Sequence, residues 1–381
     1  MRINTNLKFH KFFGGCCIAQ KWRGSAFMFI ALFGSCRLAS GQYTSVAVSN
    51  GYVQVQGDII TTEARAAKLM AEMRGEEVQP NFAYAPSRLW PNGVVPYDFD
   101  SGVSAAQQTI FISAMTAWQN SFPGVTTVTF QPRNKETAYL HLVVADPGFV
   151  GGSTDNVGYD GGVVTMTVHP SAIDQWLIAH ELGHALGLWH EQARSDRDSY
   201  LSIVSGNIQS GKASQFDKAS PQSTFGPYDY DSIMHYFSCS FSICDGQSGR
   251  PICNCPDAGC ETMQVVASYY NRWQCNIGAQ SHLSNMDRRG MAFMYAPSTW
   301  KFLYSKSGSS ATGTFQQPYT TFSGAVAGSP ANSTLWIGPG TYTAKGMTIS
   351  KPMVLKAAIP DLQMQSDGSL GPSASGWVSL Q

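Results

Sequence analysis

One run of eleven residues constrains this chain more than any other feature: His180-Glu181-Leu182-Gly183-His184-Ala185-Leu186-Gly187-Leu188-Trp189-His190. On a helix, residues four apart lie about 40° apart around the axis and about 6 Å along it. The imidazoles of His180 and His184 can therefore converge on one metal ion. Glu181 falls beside that metal rather than on it, where it can take a proton from a water held there. A straight helix would carry His190 roughly 240° past His184. The chain must turn, and Gly187 is the residue free to take a positive φ. His190 then returns as a third ligand. Three protein ligands leave a fourth position for water, which marks a catalytic rather than a structural zinc.

Neighbouring segments extend the pattern. The second ligand is followed by Gly187-Leu188-Trp189-His190-Glu191-Gln192-Ala193-Arg194-Ser195-Asp196-Arg197-Asp198. Downstream stands Tyr228-Asp229-Tyr230-Asp231-Ser232-Ile233-Met234-His235-Tyr236, and upstream Leu89-Trp90-Pro91-Asn92-Gly93-Val94-Val95-Pro96-Tyr97. Ile277-Gly278, Leu283-Ser284 and Asp287 close the region. Over residues 81–298 the chain resembles the metzincin zinc endopeptidases, and within them the astacin family, whose extended zinc motif is followed by a Met-turn. The resemblance implies an α+β, two-lobed domain with a twisted mixed sheet and an active-site helix.

The resemblance also implies roles, position by position. His180, His184 and His190 would hold one Zn2+, and Glu181 would act as general base and then acid. Tyr236 would be a displaceable fifth ligand whose hydroxyl steadies the oxyanion. Met234 would floor the imidazoles, and His235 would be structural. Glu191 would meet the amino terminus of the matured chain, expected at Asn81, nine residues before Trp90. Val55-Gln56-Gly57-Asp58 matches the family's pro-segment motif with Val in place of Phe. Asp58 would thus stand on the zinc and exclude the nucleophilic water until the segment is removed. An extended substrate would pair with an edge strand near residues 151–156.

The sequence departs from the family in two places. No Cys lies between residues 37 and 238, so the bridges that members often carry in the upper half of the domain cannot form. The junction at residues 75–80 has no basic residue, which argues against a trypsin-like cut there; Arg74 is the nearest basic site.

The remaining organisation follows from composition and patterning. Arg2, Lys8, Lys11, Lys21 and Arg23 precede an apolar run at residues 26–33 and small residues to Gly41, the order of a signal peptide over residues 1–41. Residues 42–80 read as a propeptide with a strand-like piece (45–55) and a helix-like piece (63–74). Ser104-Ala105-Ala106-Gln107 and Ser171-Ala172-Ile173-Asp174 are candidate capping boxes. The first opens a helix to Gln119, and the second opens the helix of the metal motif. Residues 125–131, 139–145 and 163–168 read as strands.

Six of the nine cysteines, Cys239, Cys244, Cys253, Cys255, Cys260 and Cys275, crowd into an insertion after the Met-turn. In an exported chain they read as three disulfides, with 15 possible connectivities. A zinc knot around Cys253, Cys255 and Cys260 is the rival. Residues 299–381 read as a small all-β module, in which residues 318–322 and 338–342 resemble the first coil of right-handed β-helix domains.

Lys plus Arg equals Asp plus Glu at 25 each. Such a balance argues against a nucleic-acid binder, which needs a basic surface. The apolar run at 26–33 is too short for a membrane span of ~20 residues. The expected protein is a secreted, monomeric zinc endopeptidase made as a zymogen, acting on protein or peptide substrates. The alternative is a secreted surface-binding protein in which the C-terminal module binds a ligand and the protease fold is a scaffold. Retention of all three histidines and Glu181 favours the enzyme.

Overall fold

Eight strands form one mixed sheet, and the helix that carries the metal motif packs against it. The computed structural model describes residues 46–47, 52–56, 58–73, 88–218, 226–246, 252–256, 259–278, 281–304, 311–338, 340–358, 363–364, 370–371 and 378–380. The expected leader, Arg74, Gly57 and the expected start at Asn81 lie outside the described residues.

The strands are β1 (Val46–Ala47), β2 (Tyr52–Gln56), β3 (Ile59–Thr62), β4 (Val94–Phe99), β5 (Thr129–Pro132), β6 (Tyr139–Val144), β7 (Gly152–Thr154) and β8 (Val163–Val168). Their spatial order is β1-β2-β3-β7-β8-β6-β4-β5. Strands β4, β5, β6 and β8 run parallel to one another, and β7 returns antiparallel to β8. The N-terminal segment joins the same sheet, because β3 adds to β7 in parallel, pairing Ile59 with Thr154. The edge strand that sequence reasoning reserved for substrate is therefore occupied by the chain's own residues. Helix α1 (Glu63–Met73) follows β3 directly.

Helix α2 (Ala105–Gln119) starts at the expected capping box, with Ser104 N–H donating to Gln107 Oε1 at 2.8 Å. Helix α3 (Gln175–Ala185) differs from expectation. Pro170–Ala172 form a separate 3₁₀ turn, so Ser171 caps nothing there. Asp174 is the N-cap instead, its Oδ1 accepting from the N–H groups of Trp176 and Leu177. Two carbonyls of this helix, one mid-helix and one at its end, also accept from indoles. Trp118 Nε1–H donates to Ala179 O and Trp90 Nε1–H to Ala185 O, both at 2.8 Å. The main core packs between α2, α3 and the sheet, through Phe111, Met115, Leu140, Met166, Ile178 and Leu182.

Below the motif, β9 (Leu201–Ile203) pairs antiparallel with β10 (Met263–Val265), followed by α4 (Tyr270–Trp273) and α5 (Asn285–Met294). The insertion is closed by three disulfides, Cys239–Cys253, Cys244–Cys260 and Cys255–Cys275. The zinc-knot alternative is thereby set aside.

After α5, β11 (Trp300–Leu303), β12 (Ser333–Ile337) and β14 (Met353–Ala357) lie parallel and in step, while β13 is Gly340–Tyr342. The region is not purely β: α6 (Phe322–Gly328) opens at an N-cap threonine, Thr321. Trp300, Phe302, Phe315 and Trp336 pack with Phe293 of α5 in the main core, so this region shares its apolar interior with the rest of the fold.

Candidate active site

Helix α3 delivers His180 and His184 on one face, and the turn after it delivers His190. Gly187 takes φ 107°, the left-handed conformation the sequence required. All three imidazoles are buried. Asp58, from the turn between β2 and β3, reaches into the same place. One ligand atom from each of the four residues lies within 4.8 Å of the others. Asp58 Oδ2 is 2.9 Å from His180 Nε2, and Oδ1 is 3.1 Å from the Nε2 atoms of both His184 and His190. The His184 and His190 Nε2 atoms stand 3.2 Å apart.

The hydrogen bonds on the far side of the rings identify what the centre needs. His180 Nδ1–H donates to Ile233 O at 2.6 Å and His184 Nδ1–H to Leu188 O at 2.7 Å. A carbonyl only accepts, so Nδ1 carries the proton and a neutral ring turns its Nε2 lone pair inward. Lone pairs then face lone pairs and a carboxylate, an arrangement that needs a cation in the middle. Donors about 2.0–2.1 Å from a zinc at the centre of a tetrahedron are separated by roughly 3.3 Å. The observed separations of 2.9–3.2 Å are of that size. The residues therefore fit zinc.

The electrostatics carry the same demand. Burial pushes Asp58 up, yet the three imidazoles, His190 foremost, hold it well below the usual carboxylate range. Burial, the largest single influence, pushes His180 down, but the charge and hydrogen bond of Asp58 together with Glu181 and the Ile233 carbonyl lift the ring to about 9. At His190 burial wins, and its value falls to about 3. A buried carboxylate among three imidazoles thus calls for compensating positive charge at the centre.

Glu181 lies beside this centre, fully buried. Its Oε2 accepts from Thr154 Oγ1–H at 2.7 Å, while Oε1 has no hydrogen-bond partner among the described residues. Burial, then the charge of Asp58, raises its pKa well above the usual range. Thr154 was missed by sequence reasoning, since nothing in Gly-Gly-Ser-Thr announces a partner 27 residues away. Gly152 approaches from the same strand, and a Cβ there would sit 2.7 Å from Glu181 Cγ and Oε1.

Tyr236 stacks at a tilt on His190, with centroids 4.4 Å apart. Its hydroxyl is buried and has no hydrogen-bond partner among the described residues, and its N–H donates to Gln192 Oε1 at 2.9 Å. Met234 packs against Gly183 of α3, where any Cβ would overlap its sulfur. The turn carrying Met234 is fixed from α5. Asp287 accepts from Ser232 Oγ–H at 2.7 Å and Ile233 N–H at 2.9 Å. His235 is held between Tyr228 OH and the Tyr236 carbonyl, each at 2.7 Å, and does not face the centre.

Glu191 does not touch the metal cluster. Its Oε1 accepts from Arg194 Nη1–H at 3.0 Å and Asp229 N–H at 2.9 Å. Beside it lies a cavity of about 30 Å³ that Asp229, Asp287 and Arg194 also line. Burial is the largest influence on all three acids and raises the pKa of each. One guanidinium faces three carboxyls there.

A cleft of about 600 Å³ opens from Asp58 and Glu181 along Gly151, Gly152, Tyr236 and Phe241. Phe241 and Ser240 belong to the cysteine-rich insertion, which therefore walls the cleft.

Comparison with known proteins agrees with this geometry. Residues 82–296 match the model of the astacin peptidase family. The chain is 37% identical over 163 residues to bone morphogenetic protein 1 of Xenopus laevis, covering 41% of this chain and 22% of that protein. It is 31% identical over 249 residues to the zinc metalloproteinase dpy-31 of Caenorhabditis elegans, covering 63% and 38%. An astacin-like metalloprotease toxin 5 of Loxosceles gaucho is 36% identical over 157 residues, covering 41% and 80%. The chain thus spans well under half the length of the first two relatives. Among solved structures, the high choriolytic enzyme 1 of medaka, a hatching enzyme zinc-protease, matches with a TM-score of 0.45 at 28% identity. That match covers 56% of this chain and 96% of the other.

Proposed function

The chain belongs to the astacin family of zinc peptidases, and we propose that it is a secreted zinc metalloendopeptidase made as a zymogen, with Asp58 closing the site. The observation that carries the reading is the carboxylate of Asp58 seated among His180, His184 and His190, in a segment that also fills the edge of β7. One carboxylate there occupies the position a water would need. The backbone of Asp58 and Ile59 occupies the strand an extended peptide would need, since Thr154 N–H donates to Asp58 O at 3.0 Å and Ile59 pairs with Thr154.

His180, His184 and His190 would hold the zinc, with the backbone carbonyls of Ile233 and Leu188 fixing the orientation of the first two rings. Bound zinc would supply Lewis acidity, polarising a peptide carbonyl and lowering the pKa of a bound water to about 7. With Asp58 gone, Glu181 takes the proton of the attacking water and returns it to the leaving amine. Thr154 holds one of its oxygens and leaves the other free for that transfer. Tyr236, whose hydroxyl has no hydrogen-bond partner among the described residues, donates to the oxyanion of the tetrahedral intermediate. Glu191, Asp229 and Asp287 set three carboxyls against one guanidinium beside a small cavity, which suits a new ammonium at Asn81. Three disulfides support export, since such bonds persist in oxidising compartments.

The test is Glu181→Gln. The processed variant should hold one zinc per chain by elemental analysis and lose peptide cleavage by about 10²–10⁴-fold, the usual worth of a general base. Near wild-type cleavage would refute the assignment.

A further inference from the structure

Asp58 is not the N-terminal segment's one hold on the rest of the fold. Arg65, on the first turn of α1, inserts its guanidinium into the loop that follows β7. Nη1–H donates to Asp155 Oδ2 at 2.9 Å and Nε–H to Asp160 Oδ2 at 2.8 Å. Nη2–H reaches Val163 O at 2.7 Å. None of these partners is a donor to the metal cluster. The side chains of Asp155 and Asp160 are only 19% and 13% exposed, and among the described residues no other cation pairs with either. Burial drives Asp155 up to about 6 even with Arg65 beside it. Withdrawing the guanidinium would therefore leave two shielded carboxyls without a cation, each held by a backbone N–H, of Thr165 and of Gly162 respectively.

The same helix adds an apolar contact. Ala66, Leu69 and Met70 recur at i, i+3 and i+4, and with Val53, Val55 and Ile59 they bury Val157 and Trp189. Residues 155–160 thus meet the segment twice, with acids at Asp155 and Asp160 and an apolar surface at Val157.

We propose that Arg65 and the apolar face of α1 form a second anchor that keeps the N-terminal segment seated on the cleft independently of the metal. The proposal rests on the reading of that segment as the mask of the active site, and deepens it. Asp58 supplies the block, and α1 supplies the residence. A cut beyond α1, as at Arg74, would sever the chain without freeing the cleft, so activation has two steps, cleavage and release. Release requires the Arg65 clamp to open.

The test reads amide hydrogen exchange across residues 63–73 of the intact full-length chain, which needs no activity. Removing zinc with a chelator should change α1 exchange by no more than about twofold, because the anchor does not use the metal. Arg65→Met should speed it by about tenfold or more, while α3 stays protected and reports an intact core. Joint replacement Asp155→Asn and Asp160→Asn should reproduce the effect. Adding it to Arg65→Met should change little more, the non-additivity of one shared interaction. Unchanged α1 exchange in Arg65→Met would overturn the proposal, and so would release of α1 by the chelator as complete as that of the variant. Failure of the latency reading shows elsewhere, as peptide cleavage by the intact wild-type chain.

Discussion

Thr154 and Gly152 decide where Glu181 points. The threonine hydroxyl grips Oε2, and the glycine leaves the space in which Cγ and Oε1 lie. The proposed base is thus aligned from a strand rather than from its own helix. Gly152→Ala should push the Glu181 carboxylate aside while leaving the zinc ligands in place. Displacement of a reacting group by about 1 Å can cost about 10²-fold. The processed variant should therefore keep its zinc content and lose kcat by roughly 10- to 100-fold, with KM little changed. Steady-state kinetics beside metal analysis checks this. A wild-type kcat would show that Glu181 has room to spare. Glu181 itself was legible because H-E-x-x-H fixes its helical position. Its partner Thr154 was not, because a contact across 27 residues leaves no periodic trace.

At the scale of elements, the metal motif works because α3 is held at both ends. Asp174 caps its start, and Trp90 binds a carbonyl at its finish. The sequence suggested Ser171 as the cap. Ser, Asp and Asn compete for that role, and Pro170 fixed a separate turn that passed it to Asp174. The turn carrying Met234 is tied to the chain after the third ligand, since Glu191 N–H donates to Met234 O at 2.9 Å.

The Glu191 pocket makes a prediction here. In this form of the chain, Arg194 and Asp229 N–H already engage Glu191, so Glu191→Ala should destabilise the unprocessed chain as well. If the matured terminus adds an ammonium, the processed form should lose more, up to ~3–5 kcal/mol for a buried pair broken on one side. Thermal melting of both forms, with N-terminal sequencing of the active one, measures the difference. Equal losses, or a start far from Asn81, would remove the terminus from that pocket.

Over the whole molecule, what was legible tracks how local the signal was. Three histidines, the Gly187 turn, α2 and the strands at 163–168 and 139–144 follow from short-range patterning. The disulfide pairing did not, because six cysteines in one loop admit every connectivity until the loop closes. Nor did the seat of the N-terminal segment, where β3 completes the sheet at β7 and α1 lays Arg65 on two distant acids. The C-terminal region was read as β alone. α6 appears there because Thr321 caps a run of small residues, with Gly324 N–H donating to Thr321 Oγ1.

All of this converges on Asp58, which joins the segment to the metal cluster. The most direct measurement is peptide cleavage by the intact, unprocessed chain, wild type against Asp58→Ala alone and combined with Arg65→Met, with electrophoresis confirming that none has been cut at the start. The wild-type chain should be silent. Asp58→Ala, which retains His180, His184, His190 and Glu181 but keeps α1 seated, should cleave peptide weakly, and the double variant should cleave faster or process itself. An intact double variant as silent as the wild type would contradict the account.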